Sequence, residues 1–255
     1  MAIYKGHQVA FTKPFSISGA NWEDTITDSW DQIIANANAG TVSGYSVGDT
    51  KTLEFVYDGI SLAIQCELIG KSHDTISGTQ NKAALTFQFN QYCLTYRANA
   101  TASNAGGWMG EDGDVYSSSL DETDGQLTHG CELRKDLWQL YKAFPSNVKN
   151  AIKTVDKKYD DTNGLQTAKD KLFCLCPEEL NASYTNSVTG QGTAYSDKYT
   201  GTSASIKKNG IGQPFYWLRS RRTNNQHFLM AYMLQGTIQS AAANTYYSVC
   251  PAFCL

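Results

Sequence analysis

Phe215-Tyr-Trp-Leu-Arg-Ser220 and, further on, Val249-Cys-Pro-Ala-Phe-Cys-Leu255 are two aromatic, charge-poor stretches that predict strands. The residues between them, 221–248, are rich in Asn, Gln, Ser, Thr, Ala and Tyr, and after Arg221 and Arg222 they carry almost no charge. Tyrosine supplies contact area at low entropic cost, and short polar side chains supply adaptable hydrogen bonds. The segment therefore predicts a recognition surface held between two structural clamps.

Working outward, residues 181–212 form a long Ser-, Thr- and Gly-rich loop. Lys171-Leu-Phe-Cys-Leu175 predicts a strand, preceded by a polar turn region from Tyr159 to Asp170. Leu133, Leu137, Leu140 and Tyr141 recur at helical spacing up to Phe144-Pro145, where proline forbids continuation, and Ser146 is expected to cap a short helix carrying Val148 and Ile152. Residues 98–130 are Gly-, Ser-, Asp- and Thr-rich, the composition of a functional loop.

Leu53 and Phe55, then Leu62, Ile64, Cys66 and Leu68, alternate with polar or small residues around Asp58-Gly59, a strong hairpin signal. Leu85, Phe87 and Phe89 add a third strand. Asp28-Ser29 precedes Trp30, Ile33, Ile34 and Ala37 on one helical face, and Gly40 supplies a stop. Residues 1–28 read as an N-terminal arm.

The chain has 255 residues, 41% hydrophobic and 12% aromatic, which is ample for a packed core. Charged residues make up 18% and the net charge is −3, so no basic field exists to collect nucleic acid. No apolar run is long enough to cross a bilayer and the first residues lack signal-peptide character, so the expectation is a soluble chain made in the cytosol.

Catalytic patterns are scarce. Seven cysteines follow no framework spacing, and buried free thiols are the expectation; Cys174-Leu-Cys176 and Cys250-x-x-x-Cys254 depart from the usual zinc pairs. The four histidines form no metal or nucleophile motif, and His73-Asp74 reads as a strand-end structural pair. Glu111-Asp-Gly-Asp114 and Asp121-Glu-Thr-Asp124 could offer carboxylates to Ca²⁺ but lack calcium-loop spacing, so no metal or other cofactor is assigned. Trp217 and Phe253 are read as core, and Arg219 is expected to need a carboxylate partner if buried.

Ser29-Trp-Asp-Gln-Ile-Ile34, Tyr45-x-Val-Gly-Asp49, His73-Asp74, Gly106-Gly-Trp108, Leu133-x-x-x-Leu137, Asp170-Lys-Leu-Phe173, Glu178-Glu179, Tyr216-Trp-Leu-Arg-Ser220 and Pro251-Ala-Phe253 occur in this order. Together, over residues 29–255, they resemble the DUF6273 family, whose domains look like C-type-lectin-fold proteins. The resemblance implies a single α+β domain with two helices, a mainly antiparallel sheet and long loops. It also implies likeness to the variable proteins of diversity-generating retroelements, with a diversified region at 221–249. Departures from the family pattern are Arg221, where proline is common, and a longer insertion over Gly110 to Gly130.

On that reading the chain is a non-enzymatic binder of a protein or glycan receptor, displayed on a phage tail or a cell surface, with no nucleic-acid partner, no membrane insertion and an oligomeric state left open. The ligand-binding residues would be Arg221, Arg222, Asn224, Asn225, His227, Ala231, Tyr232, Thr237, Gln239, Ala241, Ala243, Thr245, Tyr246 and Tyr247. The alternatives are an enzyme resembling the formylglycine-generating enzymes, which would need a redox-competent cysteine pair, and a structural virion component.

Overall fold

The computed structural model describes residues 3–4, 7–9, 23–92, 94–100, 107–110, 120–201, 209–210, 215–223, 227–232 and 235–255. Helix α1 (Trp30–Ala39) begins where the capping signal places it. The Ser29 hydroxyl accepts from the Gln32 N–H at 3.3 Å, Gln32 Oε1 accepts from the Ser29 N–H at 2.9 Å, and Gly40 closes the helix at φ 72°. Helices α2 (Glu132–Lys142) and α3 (Ser146–Ala151) follow, so the described residues hold the three helical segments read from the residues, one more than the two the family resemblance implies. Pro145, not Ser146, occupies the N-cap of α3, with no side-chain cap bond. The helix faces are as predicted: Leu133, Leu137, Leu140 and Tyr141 are buried, each apolar side chain contributing on the order of 1.5–3 kcal/mol.

The strands that build the two main sheets and the site are, in chain order, β1 (Thr50–Tyr57), β2 (Ile60–Lys71), β3 (Leu85–Phe89), β4 (Leu94–Arg97), β5 (Val155–Asp161), β6 (Gly164–Asp170), β7 (Phe215–Arg221), β8 (Phe228–Tyr232), β9 (Thr237–Ala241), β10 (Tyr246–Ser248) and β11 (Ala252–Cys254). One sheet has four antiparallel strands in the order β11-β3-β2-β1. Asp58 and Gly59 turn β1 into β2 with φ of 51° and 77°, the two positive values a type I′ turn requires. The other sheet has seven strands, in the order Ile3–Tyr4, His7–Val9, β4, β10, β7, β8, β9. Its pairings are antiparallel except β7 with β10, which run parallel at Tyr216 and Ser248. Residues 3–4 and 7–9 of the expected arm are thus strands, 3–4 at the edge of the sheet and 7–9 between it and β4, and Ile26 is buried with its N–H bonded to Thr50 O.

Two sequence readings are corrected. The expected polar turn from Tyr159 to Asp170 is most of a hairpin, β5 and β6 in unbroken register from Val155↔Asp170 to Asp161↔Gly164. Its inward positions include Lys157, Asp161 and Asp170, so the charges hid the period-two pattern; the turn itself is Thr162-Asn163, with Gly164 opening β6 at φ 102°. Lys171 to Leu175 is no ladder strand: it makes one bridge, Phe173 with Ala252.

The C-terminal clamp lies deep in the core. The Phe253 ring packs 5.8 Å from Phe87, 5.9 Å from Phe144 and 6.1 Å from Trp30, whose indole donates to Thr52 O at 2.9 Å. Trp217, in the other clamp, donates to Tyr96 O at 2.8 Å. Both clamps are scaffold, as expected.

Candidate functional site

Sheet geometry sorts the predicted binding residues. Register pairs Phe215 with Tyr232 and Tyr232 with Thr237, then Trp217 with Met230 and Met230 with Gln239, and Phe228 with Ala241. Opposed residues share a face, so Tyr232, Thr237, Gln239 and Ala241 project on the side of Phe215 and Trp217. Tyr247 joins them, its ring 5.2 Å from Phe215 and 5.0 Å from Trp217, while Phe215 and Tyr232 stack at 4.4 Å and 19°. Phe215, Tyr232, Gln239, Ala241 and Tyr247 are half-buried and Thr237 is exposed. β9 is the edge of the sheet.

Other predicted residues fall elsewhere. Ala231 is fully buried, because β8 lies between β7 and β9 and this position faces inward beside Tyr216 and Ile238. Ala243 is fully buried in a turn whose carbonyl accepts from the Asn99 N–H at 2.9 Å. Arg221 is 5% exposed and pairs with Asp160 at 3.2 Å, so it is a core cation rather than a rim anchor. These three offer no surface. Tyr246 pairs with Arg97 and points to the opposite face from Tyr247. Arg222 and His227 are half-buried at the far end of β7 and β8, joined by Arg222 N–H to His227 O at 2.6 Å, and Thr245 closes the turn before β10. Asn224 and Asn225 lie outside the described residues.

A feature the sequence reading missed is a buried quartet of charges. Lys157 Nζ donates to Asp74, to Glu179 Oε1 at 3.0 Å and to the Tyr195 hydroxyl at 3.3 Å, and sits 3.9 Å above the Phe173 ring. Glu179 also accepts from Arg219, whose remaining donors reach Lys158 O at 2.8 Å, Cys174 O at 2.9 Å and Gln191 O at 2.8 Å. Asp74 further accepts from Thr86 at 2.6 Å and Tyr195 at 2.8 Å. Burial opposes ionisation of both acids, but Lys157 holds Asp74 well below the usual carboxylate range, and Arg219 with Lys157 lowers Glu179. Burial likewise opposes the Lys157 charge, and Asp74 and Glu179 outweigh it and raise its pKa. Two anions and two cations cancel.

Above the quartet opens a cleft of about 360 Å³, walled by His73, Thr75 and Lys82 on one side and Gly190 to Thr193 on the other, with Asp156 and Lys158 also on its lining. The His73 ring stacks on Tyr195 at 3.8 Å. Its Nδ1 is 3.6 Å from Asp74 Oδ1, too far for a hydrogen bond, and neither ring nitrogen has a hydrogen-bond partner.

The family model described as a domain of unknown function, DUF6273, matches residues 90–255. The chain belongs to the DUF6273 family. No curated protein and no solved structure matches it. The match begins beside β3, yet β11 of the DUF6273 stretch completes the sheet formed by β1, β2 and β3, so residues 50–89 belong to the same core.

Inside the DUF6273 domain the recurrent motifs meet at buried ion pairs. Trp108 Nε1 donates to Asp170 Oδ2 at 2.8 Å and Arg134 Nε to Asp170 Oδ1 at 2.7 Å, while Arg134 also reaches His129 O at 2.7 Å and Lys169 O at 2.9 Å. Gly107, at φ 59°, lies against the chain at Asp160: a Cβ there would come within 2.3 Å of the Asp160 carbonyl oxygen. Asp160 itself is pushed up to about 6, by burial first, with Arg221 acting against the rise and Asp161 adding to it.

A carboxyl whose folded pKa is raised stabilises most below its unfolded value, and that stability is lost as pH climbs through the folded one. From the value of about 6, unfolding free energy should be about 1–2 kcal/mol greater at pH 5 than at pH 7.5. Asp160→Asn should flatten that slope in urea titrations at the two pH values; an unchanged slope would remove Asp160 as its origin.

The six described cysteines are free and buried. Burial pushes the Cys131 and Cys176 thiols up to about 12 and those of Cys174 and Cys254 well above the ordinary value, so none of these four is poised as a thiolate. Cys93 and Glu111 to Asp114 lie outside the described residues. Glu122, in the other acidic stretch, is engaged with Trp138 at 2.5 Å and Lys142 at 3.1 Å. Among the described residues no cluster of three or more His, Cys, Asp or Glu could hold a metal, and no helix is long and apolar enough to cross a membrane.

Proposed function

We propose that this DUF6273 protein is a non-enzymatic recognition protein of C-type-lectin-like fold, whose binding surface is the face built from Phe215, Tyr232, Thr237, Gln239, Ala241 and Tyr247. The observation that carries the reading is the interlocked ring set, with Tyr232 stacked on Phe215 and Tyr247 tilted against both Phe215 and Trp217. Rings held this way lose little side-chain entropy on binding, and the neighbouring hydroxyl and amide are the adaptable polar groups of a paratope. The face carries no charged side chain among these residues, which favours an uncharged patch on a protein or glycan receptor over a polyelectrolyte.

The same sorting supports diversification by a retroelement: the side chains on this face are exposed or half-buried, whereas Trp217, Arg219, Ala231, Ala243 and Phe253 are fully buried. Sequencing residues 221–249 in many copies of the gene from one microbial population tests it. Substitutions should concentrate at Tyr232, Thr237, Gln239, Ala241 and Tyr247, sparing Trp217, Arg219, Ala231, Ala243 and Phe253, with a reverse transcriptase gene beside a near-copy of the coding repeat. Substitutions spread evenly over buried and surface positions would sink the reading. Display on a phage tail or cell surface follows from the same proposal.

A further inference from the structure

The cleft above the charged quartet is separate from the sheet face just proposed, and its chemistry differs. We propose that it binds a small molecule through a carboxylate or phosphate group met by Lys82 and Lys158 on its lining. Its size, about 360 Å³, falls in the range of small-molecule sites.

The floor is electrostatically spent: the three donors of Lys157 are committed to Asp74, Glu179 and Tyr195, and the quartet is neutral. The field at the opening is therefore set by the outer lining. There Lys82 and Lys158 are exposed, and of the two half-buried acids nearby, Asp156 lies on the lining while Glu178 sits behind the wall with both oxygens taken up by the Gly190 and Gly192 N–H groups. Lys82 gives one bond to Thr75 Oγ1 at 2.8 Å and keeps two N–H groups, and Thr193 adds an exposed hydroxyl. A cationic ligand would meet two like charges, whereas an oxyanion would meet two charge-assisted donors. His73 contributes its ring to the wall, stacked on Tyr195, with Nδ1 turned toward Asp74 at 3.6 Å.

The wall opposite His73 is preformed. Gly190 and Gly192 N–H groups donate to Glu178 at 2.7 and 3.0 Å, Gln191 O holds Arg219 at 2.8 Å, and Gln191 Oε1 accepts from Ser220 at 2.8 Å. A Cβ at residue 192 would come within 2.6 Å of Glu179 Cγ, so the turn closes directly on the quartet. A ligand entering here pays little to organise its site.

Calorimetric titration of the full chain with inorganic phosphate and, separately, with succinate, at constant ionic strength in a buffer free of oxyanions, tests the proposal. At least one probe should bind saturably, with the His73 ring resonances moving along the same isotherm. Lys82→Gln combined with Lys158→Gln should weaken that binding about tenfold or more, with Tm unchanged because both side chains are exposed. Phosphate alone binding would assign a phosphate group, and succinate alone a carboxylate. Absence of saturation by either probe at about 10 mM, or equal binding by the double variant, would overturn the proposal. Tyr232→Ala with Tyr247→Ala should leave the isotherm unchanged, which keeps this result distinct from the fate of the sheet surface.

Discussion

Lys157→Met is expected to lower unfolding free energy by about 3–5 kcal/mol at pH 7, the cost of leaving buried charges uncompensated. The ammonium serves both Asp74 and Glu179, and its side chain is 3% exposed. Asp74 has other donors in Thr86 and Tyr195, and Glu179 keeps Arg219, but neither set restores the missing positive charge. Methionine fills the methylene volume, which isolates the charge effect from a cavity effect. Adding Asp74→Asn should recover about half the loss or more, because the Glu179–Arg219 pair is then balanced and the amide oxygen introduced in place of the carboxylate can still accept from Tyr195 and Thr86. Guanidinium unfolding of the wild type, the single variant and the double variant checks both statements. A single-variant cost under about 1 kcal/mol, or a double variant no better than the single, would show that the quartet is not ionised as a unit.

Asp170→Asn is the second large effect, again about 3–5 kcal/mol, since it strands the Arg134 guanidinium, whose side chain is 1% exposed. The residue ties three elements together: β6 carries it, α2 carries Arg134, and Trp108 comes from the short 3₁₀ turn at Gly107–Met109. Trp108→Tyr or Trp108→Phe removes one hydrogen bond and part of a ring but leaves the ion pair, so it should cost less than Asp170→Asn. Hydrogen exchange should report Asp170→Asn as faster exchange in α2, because the helix loses its only described ion pair to the β5–β6 hairpin. Equal costs for the tryptophan and aspartate variants would mean that packing, rather than charge, holds this junction.

Both predictions concern buried ion pairs that the quoted motifs touch without explaining: Asp74 and Glu179 take Lys157, Glu179 also takes Arg219, and Trp108 and Arg134 meet on Asp170. Removing one member of such a pair costs more than the pair contributes. The expectation that Arg219 would need a carboxylate was correct; its partner, Glu179, could not be chosen from several acids by spacing. His73-Asp74 was read as a structural pair, and half of that stands: Asp74 anchors the quartet, whereas the His73 ring stacks on Tyr195 at the wall of a cleft.

The segment between the clamps divides in the same way. Composition marked it, but the inward positions Ala231 and Ala243 and the paired Arg221 became evident only when β8 was found between two neighbours and Asp160 was found beside Arg221. Phe228 to Ala231 are buried on both faces, and Tyr232 emerges at the strand end. An apolar strand in a sheet interior has no alternation from which to tell ligand face from core face.

The amino-acid sequence determined what depends on neighbours a few residues apart: the Ser29 capping box, the Asp58-Gly59 turn, the alternation of β1 to β3, the apolar stripe of α2 and its stop before Pro145. These are set by backbone dihedrals and side-chain periodicity, which are local. Tertiary structure alone decided the β5–β6 hairpin, the charge quartet, the cleft and which residues of 221–249 reach the surface. Each depends on groups far apart in the chain meeting in a low-dielectric interior, where a lysine is an inward-facing core residue only because two carboxylates from other elements are there to meet it.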